Sequence, residues 1–339
     1  MKIYVGAIIG TVVAGLIAVT VWGYRKAFNT YDRSEPTGVY IPEGASSDSV
    51  KVLLCDAFGD SFGGDVYLIF NMRGGSPQKA RGYYEVKAGD RAWSVANRLR
   101  TGTQTPRRVT FNNIRTMEDL AARVADRFVW DADDFMAAAD SVLPTFGFTD
   151  RRQFPAAFIP DTYEFYYTAS AADVVRRLAE FRNKFWNDER REKAAALGLS
   201  PAEVATVASI VEEETAKNDE RGMVARLYLN RLSKGMKLQA DPTVKFAAGD
   251  FSLRRIGGDL LRLNSPYNTY VVAGLPPGPI RIPEKSTIDA VLNAPRHNYL
   301  YMCAKSDFSG YHDFAVDYDT HLSNAAAYQA KLDRRGIKL

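Results

Sequence analysis

Glu212, Glu213 and Glu214 form an unbroken acidic run near the end of the segment SPAEVATVASIVEEET, residues 200–215. A carboxyl group shielded from water keeps its proton toward neutral pH and can serve as general acid and then as base. The segment has the marks of a helix start. Ser200 can cap, Pro201 suits the first helical position, and Glu203 completes a capping box. At about 100° per residue, with Val207 as zero, Val204 falls near +60°, Ile210 near −60° and Val211 near +40°. Glu214 falls at about −20°, within that apolar face, while Glu212 at about +140° and Glu213 at about −120° fall off it. One carboxyl of the three is therefore aimed at a core or a cleft. A solvated charged helix end, or an ion pair from Glu214 to Arg221 or Arg226, is the competing reading.

The elements that must hold this helix follow a mixed pattern. Three segments each run from a short apolar strand through a turn into a helix start: Val39–Ile41 to Val50, Tyr84–Val86 to Val95, and Val109–Phe111 to Leu120. The last strand residue and the helix apolar residue are nine positions apart each time. From Met117 onward EDLAARVADRF, ADDFMAAADSVL and ADVVRRLAEFRNKFW carry apolar residues at helical spacing. FIPDTYEFYYTAS between them reads as an aromatic platform loop. DPTVKFA, NTYVVAG and HNYLYMCAKSD read as strands, GLPPGPIRIP as a proline-rich loop, and THLSNAAAYQAKLDRR as a closing helix.

Ile3–Tyr24 is 22 residues without a charge, long enough for a single membrane-spanning helix, and it ends in Val-Trp-Gly-Tyr-Arg-Lys, a poor cleavage site. Lys2 lies before it and Arg25 and Lys26 after it, so flanking charge does not set its orientation. The whole chain has 339 residues, a net charge of +4 and 46% apolar residues, which excludes a disordered or collagen-like chain. No dense basic stripe points to nucleic acid. Cys55 and Cys303 lie 248 positions apart in apolar surroundings and read as buried free thiols. Three histidines, His297, His312 and His321, are too few and wrongly spaced for a metal centre.

YEVKAGDRAWSVANRLRTG resembles a LysM module, a small βααβ fold that docks N-acetylated glycans. ASIVEEETA, ERGMVARLYLNRLSKGMKLQADPTVKFA, SPYNTYVVAGLPPGPI and a late Gly-Tyr-His-Asp-Phe together resemble the endolytic murein transglycosylase family, with its YceG-like domain. The stretch between Cys55 and Tyr83 departs from that pattern in being richer in glycine. In the family's motif the catalytic acid is the glutamate immediately before the threonine, which here is Glu214. The resemblance further implies that Asp161, Gln239, Asp241, Thr243, Tyr267 and Asn268 line a sugar-binding cleft, where amides and tyrosine rings suit hydroxyl and N-acetyl groups. Asp241 reads equally well as a turn residue, and His312 with Phe314 as cleft lining or core.

The resulting expectation is an α+β protein in three parts. A transmembrane anchor occupies 1–28, a LysM-like α/β module 29–108, and a larger mixed α+β lytic transglycosylase domain 109–339. As the resemblance implies, it requires no metal or cofactor, and its partners are peptidoglycan glycan strands, the inner membrane and the synthases that make the strands, with the catalytic part outside the cytoplasm. Two rivals stand beside it. A hydrolytic muramidase would use a second carboxylate, Asp241 or Asp161. A wall-binding scaffold would use no chemistry, with Glu214 structural.

Overall fold

The computed structural model describes residues 2–253 and 256–335, with side chains from Ile9 onward. The fold is mixed α+β, mostly helical, with strands in two-stranded sheets. The chain divides into two compact units. One comprises Met1–Arg108 with Arg127–Val129 and Glu164–Ala169; the other comprises Val109–Asp126, Trp130–Tyr163 and Ser170–Leu339.

The first unit begins with helix α1 (Lys2–Ala27). Its large apolar side chains, Leu16 and Val19 among them, are exposed. Among the described residues no single helix is long and apolar enough to cross a membrane. Met1–Ile8, which include the start of the expected span Ile3–Tyr24, lie outside the residues whose side chains are described.

Strand β1 (Thr37–Ile41), helices α2 (Ser47–Phe58) and α3 (Asp60–Met72), strand β2 (Gly82–Val86) and helix α4 (Ala92–Thr101) follow. β1 runs antiparallel to β2, with Val39 opposite Tyr84 and Ile41 opposite Gly82. Alternation sends Val39, Ile41, Tyr84 and Val86 into the core, where Val50, Leu54 and Val66 from the helices meet them. Ser46 starts α2 by accepting the Ser49 N–H at 3.1 Å. Gly59, at φ +85°, turns the chain from α2 into α3.

The second unit contains strand β3 (Arg107–Phe111, whose first residues belong to the other unit), α5 (Met117–Ala125), α6 (Ala132–Val142), β4 (Asp161–Phe165, its end likewise), α7 (Ala171–Phe185), α8 (Asp188–Ala196), α9 (Pro201–Glu214), α10 (Arg221–Ser233), α11 (Asp241–Ala248), α12 (Lys285–Leu292), β5 (Tyr301–Ala304), β6 (His312–Ala315) and α13 (Tyr318–Arg334). β3 pairs with β4, and β5 runs antiparallel to β6 with Ala304 opposite His312.

Two segments expected as strands are not. DPTVKFA is helix α11, started by Pro242 in its first turn and stopped by Gly249 at φ +67°. Its β-branched residues favour a strand, but the proline start and glycine stop decide the matter. NTYVVAG forms turns, because the Asn268 carbonyl takes the N–H groups of Val271 and Val272 at 3.0 Å. The expected aromatic loop FIPDTYEFYYTAS supplies β4.

Helix α9 is the axis of this unit. Val204, Val207, Ala208, Ile210 and Val211 are buried against α10, α12 and the chain around Ile280. Burial of each such aliphatic side chain is worth roughly 1.5–3 kcal/mol. Polar residues on the same helix are buried too. The Ser209 hydroxyl accepts the Ile280 N–H at 3.0 Å and donates to the Thr206 carbonyl at 2.7 Å. Enclosure on all sides removes the outward face that the helical wheel gave to Glu212.

The glycine-rich stretch has a local reason. A Cβ on Gly63 would overlap the backbone of Leu54 and Cys55, so α3 lies directly on α2 there, while a Cβ on Gly64 meets nothing within 4 Å. Gly63→Ala should destabilise the first unit by about 1–3 kcal/mol. Gly64→Ala should stabilise it by roughly 0.5–1 kcal/mol, because alanine loses less backbone entropy in a helix. Urea denaturation of both variants checks the pair, and equal effects would contradict the α2–α3 contact.

Candidate active site

Three consecutive glutamates end α9, and each meets a different environment. The Glu212 side chain is only 4% exposed. Its Oε2 accepts the Glu284 N–H at 2.9 Å and the Thr287 hydroxyl at 2.5 Å, and its Oε1 lies 3.0 Å from Arg281 Nε. Glu213 accepts from Arg281 Nη1 at 2.7 Å and from both Nε and Nη2 of Arg115 at 3.2 and 3.0 Å. Arg281 is itself buried and also donates to Asn113 Oδ1 at 2.6 Å. Two of the three carboxylates are thus paired with guanidinium groups, and Glu212 also with a backbone amide. Glu212, placed off the buried face by the wheel, is in fact inside it.

Glu214 meets no cation at bonding distance among the described residues. The phenol of Tyr228, on α10, donates to its Oε1 at 2.6 Å. Arg221 bonds instead to Thr287 Oγ1 at 2.7 Å, and Arg226 to the carbonyls of Ala294 and Pro295. The ion pair weighed against a chemical role for Glu214 therefore does not form. Burial pushes the Glu214 carboxyl from 4.5 to about 7, and the Asp241 charge adds to the rise; the Tyr228 bond, His312 and Lys245 oppose it. The position adds a further bias, since the C-terminal end of a helix is its negative end.

The cleft around Glu214 has a volume of about 210 Å3. Tyr228 and Arg231 of α10 form one wall, Gln239, Asp241 and Tyr270 a second, and Cys303 of β5 with His312 of β6 a third. Burial pushes the Tyr228 phenol well up, and Glu214 beside it pushes in the same direction, so Tyr228 stays a donor. The Tyr270 hydroxyl donates to Asp241 Oδ1 at 2.6 Å, and burial likewise raises the Tyr270 phenol. His312 is anchored from behind. Its backbone N–H donates to Glu220 Oε1 at 2.7 Å, its Nδ1 lies 2.9 Å from Glu220 Oε2, and the Thr215 hydroxyl donates to the same Oε2 at 2.9 Å. Thr215 is the residue after Glu214, so this cluster fixes the chain where the glutamate leaves the helix.

Gln239 takes a left-handed conformation, φ +52°. A non-glycine residue is strained there and needs its surroundings to hold it. Its own N–H donates to the Thr269 carbonyl at 3.1 Å and the next N–H to Thr269 Oγ1 at 2.9 Å, while Arg231 Nη1 reaches its Oε1 at 3.3 Å.

Of the residues expected to line a cleft with Glu214, the structure brings Gln239 and Asp241 to it. The other four lie elsewhere. Thr243 is buried and bonds the Ala240 carbonyl and Thr269. Asn268 is buried and donates to the Leu263 carbonyl at 2.9 Å while its Oδ1 accepts the Tyr270 N–H, which tightens the loop that presents Tyr270. Tyr267 packs on Phe246 with ring centroids 4.7 Å apart. Asp161 pairs with Lys285; burial opposes its charge, but that ammonium holds the carboxyl below its usual range. Tyr228, Arg231 and Tyr270 were not singled out from the sequence. Each is an ordinary residue of a helix or turn, and only packing brings it to Glu214. Phe314 packs on the core cluster and His312 faces the cleft, which settles the choice left open for that pair. Both cysteines are free and only partly buried.

Comparison with known proteins agrees with this architecture. The chain is 28% identical over 297 residues to the endolytic murein transglycosylase of Bacillus subtilis strain 168, which spans 81% of each chain. It is 34% identical over 110 residues to the endolytic murein transglycosylase of Streptococcus pneumoniae serotype 2 strain D39, a match covering 31% of this chain and 20% of that protein. The crystal structure of a yceG-like protein from Listeria monocytogenes superposes with a TM-score of 0.56 at 23% identity, over 86% of this chain and 99% of that one, which shows a shared fold. Residues 39–327 match the YceG-like family, and the chain, a homologue of endolytic murein transglycosylases, belongs to that family.

Proposed function

We propose that this protein is a lytic transglycosylase that cleaves peptidoglycan glycan strands internally, between N-acetylmuramic acid and N-acetylglucosamine, with Glu214 as its catalytic residue. The observation that carries the reading is the isolation of Glu214. It is the carboxyl of the acidic run that no cation among the described residues neutralises, and burial holds it near pH 7. A general acid works best when its pKa lies near the operating pH. Tyr228 occupies Oε1, which leaves Oε2 to carry the proton.

The chemistry then balances without water. Glu214 gives its proton to the glycosidic oxygen, the C1–O bond breaks, and an oxocarbenium-like sugar forms. The sugar's own 6-hydroxyl attacks C1, and its proton returns to the Glu214 carboxylate. The product ends in a 1,6-anhydro ring. Arg231, Gln239 and Tyr270 line the cleft with donors and acceptors suited to sugar hydroxyls and N-acetyl groups. Such cleavage would set strand length as strands emerge from their synthases. The hydrolytic alternative rests on Asp241, which lies in the same cleft. Against it, the Tyr270 hydroxyl ties up Asp241 Oδ1 and supports a positioning role. Asp161, the other candidate carboxylate, is paired to Lys285 away from the cleft.

Helix α1 is proposed as a single-pass anchor in the inner membrane. Peptidoglycan lies outside the cytoplasm, so the catalytic part belongs on that side. The segment that resembles a LysM module, residues 84–102, falls on β2 and α4 of the first unit, which supports a role of that unit in docking the glycan.

Glu214→Gln should abolish cleavage of purified peptidoglycan while circular dichroism stays native. Glu213→Gln, which weakens the bonds to Arg115 and Arg281, should lower stability by about 1–3 kcal/mol yet keep the chemistry. In wild type, activity should fall as pH rises above about 7, because Glu214 then loses the proton it must donate. The same titration affects stability. The folded carboxyl titrates above the unfolded one, so its contribution is full below pH 4.5 and is lost as pH rises through about 7, a change of up to roughly 3 kcal/mol. Glutamine does not ionise. The melting temperature of Glu214→Gln relative to wild type should therefore climb between pH 5 and pH 8, and a flat difference would contradict the raised pKa.

Asp241→Asn separates the transglycosylase from the hydrolase. Partial loss of activity with products one water lighter than hydrolysed ends, read by mass spectrometry, is expected. Loss by several orders of magnitude, with hydrolysed ends from wild type, would identify a hydrolase. The anchor is tested by mass spectrometry of protein purified from membranes, which should find residues 2–24 still attached. A mature N-terminus near Tyr24 would make that segment a signal peptide.

A further inference from the structure

A second cavity in the same unit, about 1060 Å3, lies at the opposite end of α9 from Glu214. The first turn of α9 forms part of its wall, and Glu214 sits about 20 Å further along the helix. The two hollows also share α10: Arg226 and Asn230 face this cavity, while Tyr228 and Arg231 face the cleft.

Three arginines line this second cavity: Arg182 of α7, Arg191 of α8 and Arg226 of α10. Among the described residues none of them meets a carboxylate. Arg182, 6% exposed, donates to the Ala156 carbonyl at 3.2 Å and to Asn183 Oδ1 at 3.1 Å, and its guanidinium lies 5.1 Å from the centre of the Phe148 ring. Arg191 donates to the Trp186 carbonyl at 2.7 Å. Arg226 donates to the carbonyls of Ala294 and Pro295 at 2.9 and 3.2 Å. Burial lowers Arg182 to about 10, and Arg191 pushes it further down; burial lowers Arg226, and Arg296 adds to that. Glu203 is the acidic lining residue, and its Oε2 accepts the Ser200 N–H at 2.7 Å, which holds it in the capping box. Buried or crowded guanidinium groups without counter-charge are costly to keep in a fold. Their planar donors match carboxylate and phosphate oxygens in pairs. Phe146, Phe148 and Pro276 supply apolar surface beside them.

We infer that this cavity is a second ligand site, separate from the Glu214 cleft, that takes an oxyanion, a carboxylate or a phosphate, carried on a partly apolar body. The volume exceeds what a lone ion fills, and the aromatic and proline lining suits the remainder of such a ligand. In a protein that acts on peptidoglycan, free carboxylates come from the peptide stem and phosphates from lipid-linked precursors. Oxyanion binding itself does not depend on Glu214 or on any cleavage.

Isothermal titration of the full-length protein, at constant ionic strength made up with chloride, tests the site with two probes. One is inorganic phosphate; the other is a synthetic tetrapeptide with a free C-terminal carboxylate and one acidic side chain. Saturable binding of either is expected. Phosphate alone would assign a phosphate ligand, the peptide alone a carboxylate ligand, and both the shared oxyanion chemistry. Arg191→Gln and Arg226→Gln should each weaken binding about tenfold or more, as loss of a charged hydrogen-bonding partner does. Arg191 is exposed, so its variant keeps the test decisive if Arg226→Gln melts early. Arg176→Gln, a variant of an exposed arginine that does not line the cavity, should leave affinity unchanged. Glu214→Gln should bind both probes like wild type, which keeps this result independent of cleavage. Absence of saturable binding of both probes up to about 10 mM, or unchanged affinity in Arg191→Gln, would overturn the proposal.

Discussion

A carboxyl group held at the negative end of a buried helix, bonded to a phenol and, among the described residues, to no cation, is the interaction on which the cleft depends. Such a group is costly in its ionised form, and the fold accommodates it by letting it keep its proton. The surrounding construction follows from that need. Tyr228 must be buried on α10 to reach Oε1, so α9 and α10 pack through Val207, Ile210, Val224 and Leu227. The chain after Glu214 must not wander, and the Thr215–Glu220–His312 cluster holds it at its first residue.

The two preceding glutamates make the isolation of Glu214 possible. Arg281 faces Glu212 and Glu213 together, and Arg115 adds a second guanidinium to Glu213. Removing one partner from a buried pair of this kind costs roughly 3–5 kcal/mol, because the remaining charge stays buried. These arginines are therefore fixed by the carboxylates they serve and are not free to move one residue further to Glu214. Three identical side chains in a row acquire two structural roles and one open role through the positions of Asn113, Thr287 and the Glu284 amide.

Much of this was readable in the sequence, in uneven measure. Local signals served best. Ser200 caps its helix as its capping box announces, Ile41 and Val50 share one core, and Phe111 and Leu120 are buried at the expected spacing. The inward direction of Glu214 followed from the wheel, whereas the outward direction of Glu212 did not. A wheel ranks faces by apolarity and has no means of showing that a helix is enclosed on every side. DPTVKFA carries strand propensity in its β-branched residues, yet the proline and glycine that bound it make it a helix. Tyr228 is 14 residues from Glu214, Tyr270 is 29 from Asp241, and Glu220 is 92 from His312. No local pattern carries such pairings. Thr243, Asn268 and Tyr267 stand close in sequence to Asp241 and Tyr270, yet they shape the loops from within and leave the cleft to their neighbours.

Arg231 shows how finely the balance is set. It lines the same cleft as Glu214, and a guanidinium brought against that carboxyl would hold it ionised and remove the acid. Instead its Nε donates to the Leu300 carbonyl at 2.6 Å, and its Nη1 to the carbonyls of Leu238 and Lys237 at 2.8 and 3.2 Å. Backbone carbonyls satisfy the guanidinium without neutralising it, so its charge remains in the cleft while its position is fixed. The Lys237 and Leu238 carbonyls belong to the segment that leads into Gln239, whose left-handed backbone turns the chain toward Asp241. One side chain thus ties the strained loop to α10 and at the same time stays off the carboxyl. Arg231 thus braces the strained loop through Lys237, Leu238 and Gln239 Oε1, and the Glu214 carboxyl is left to burial and the Tyr228 phenol.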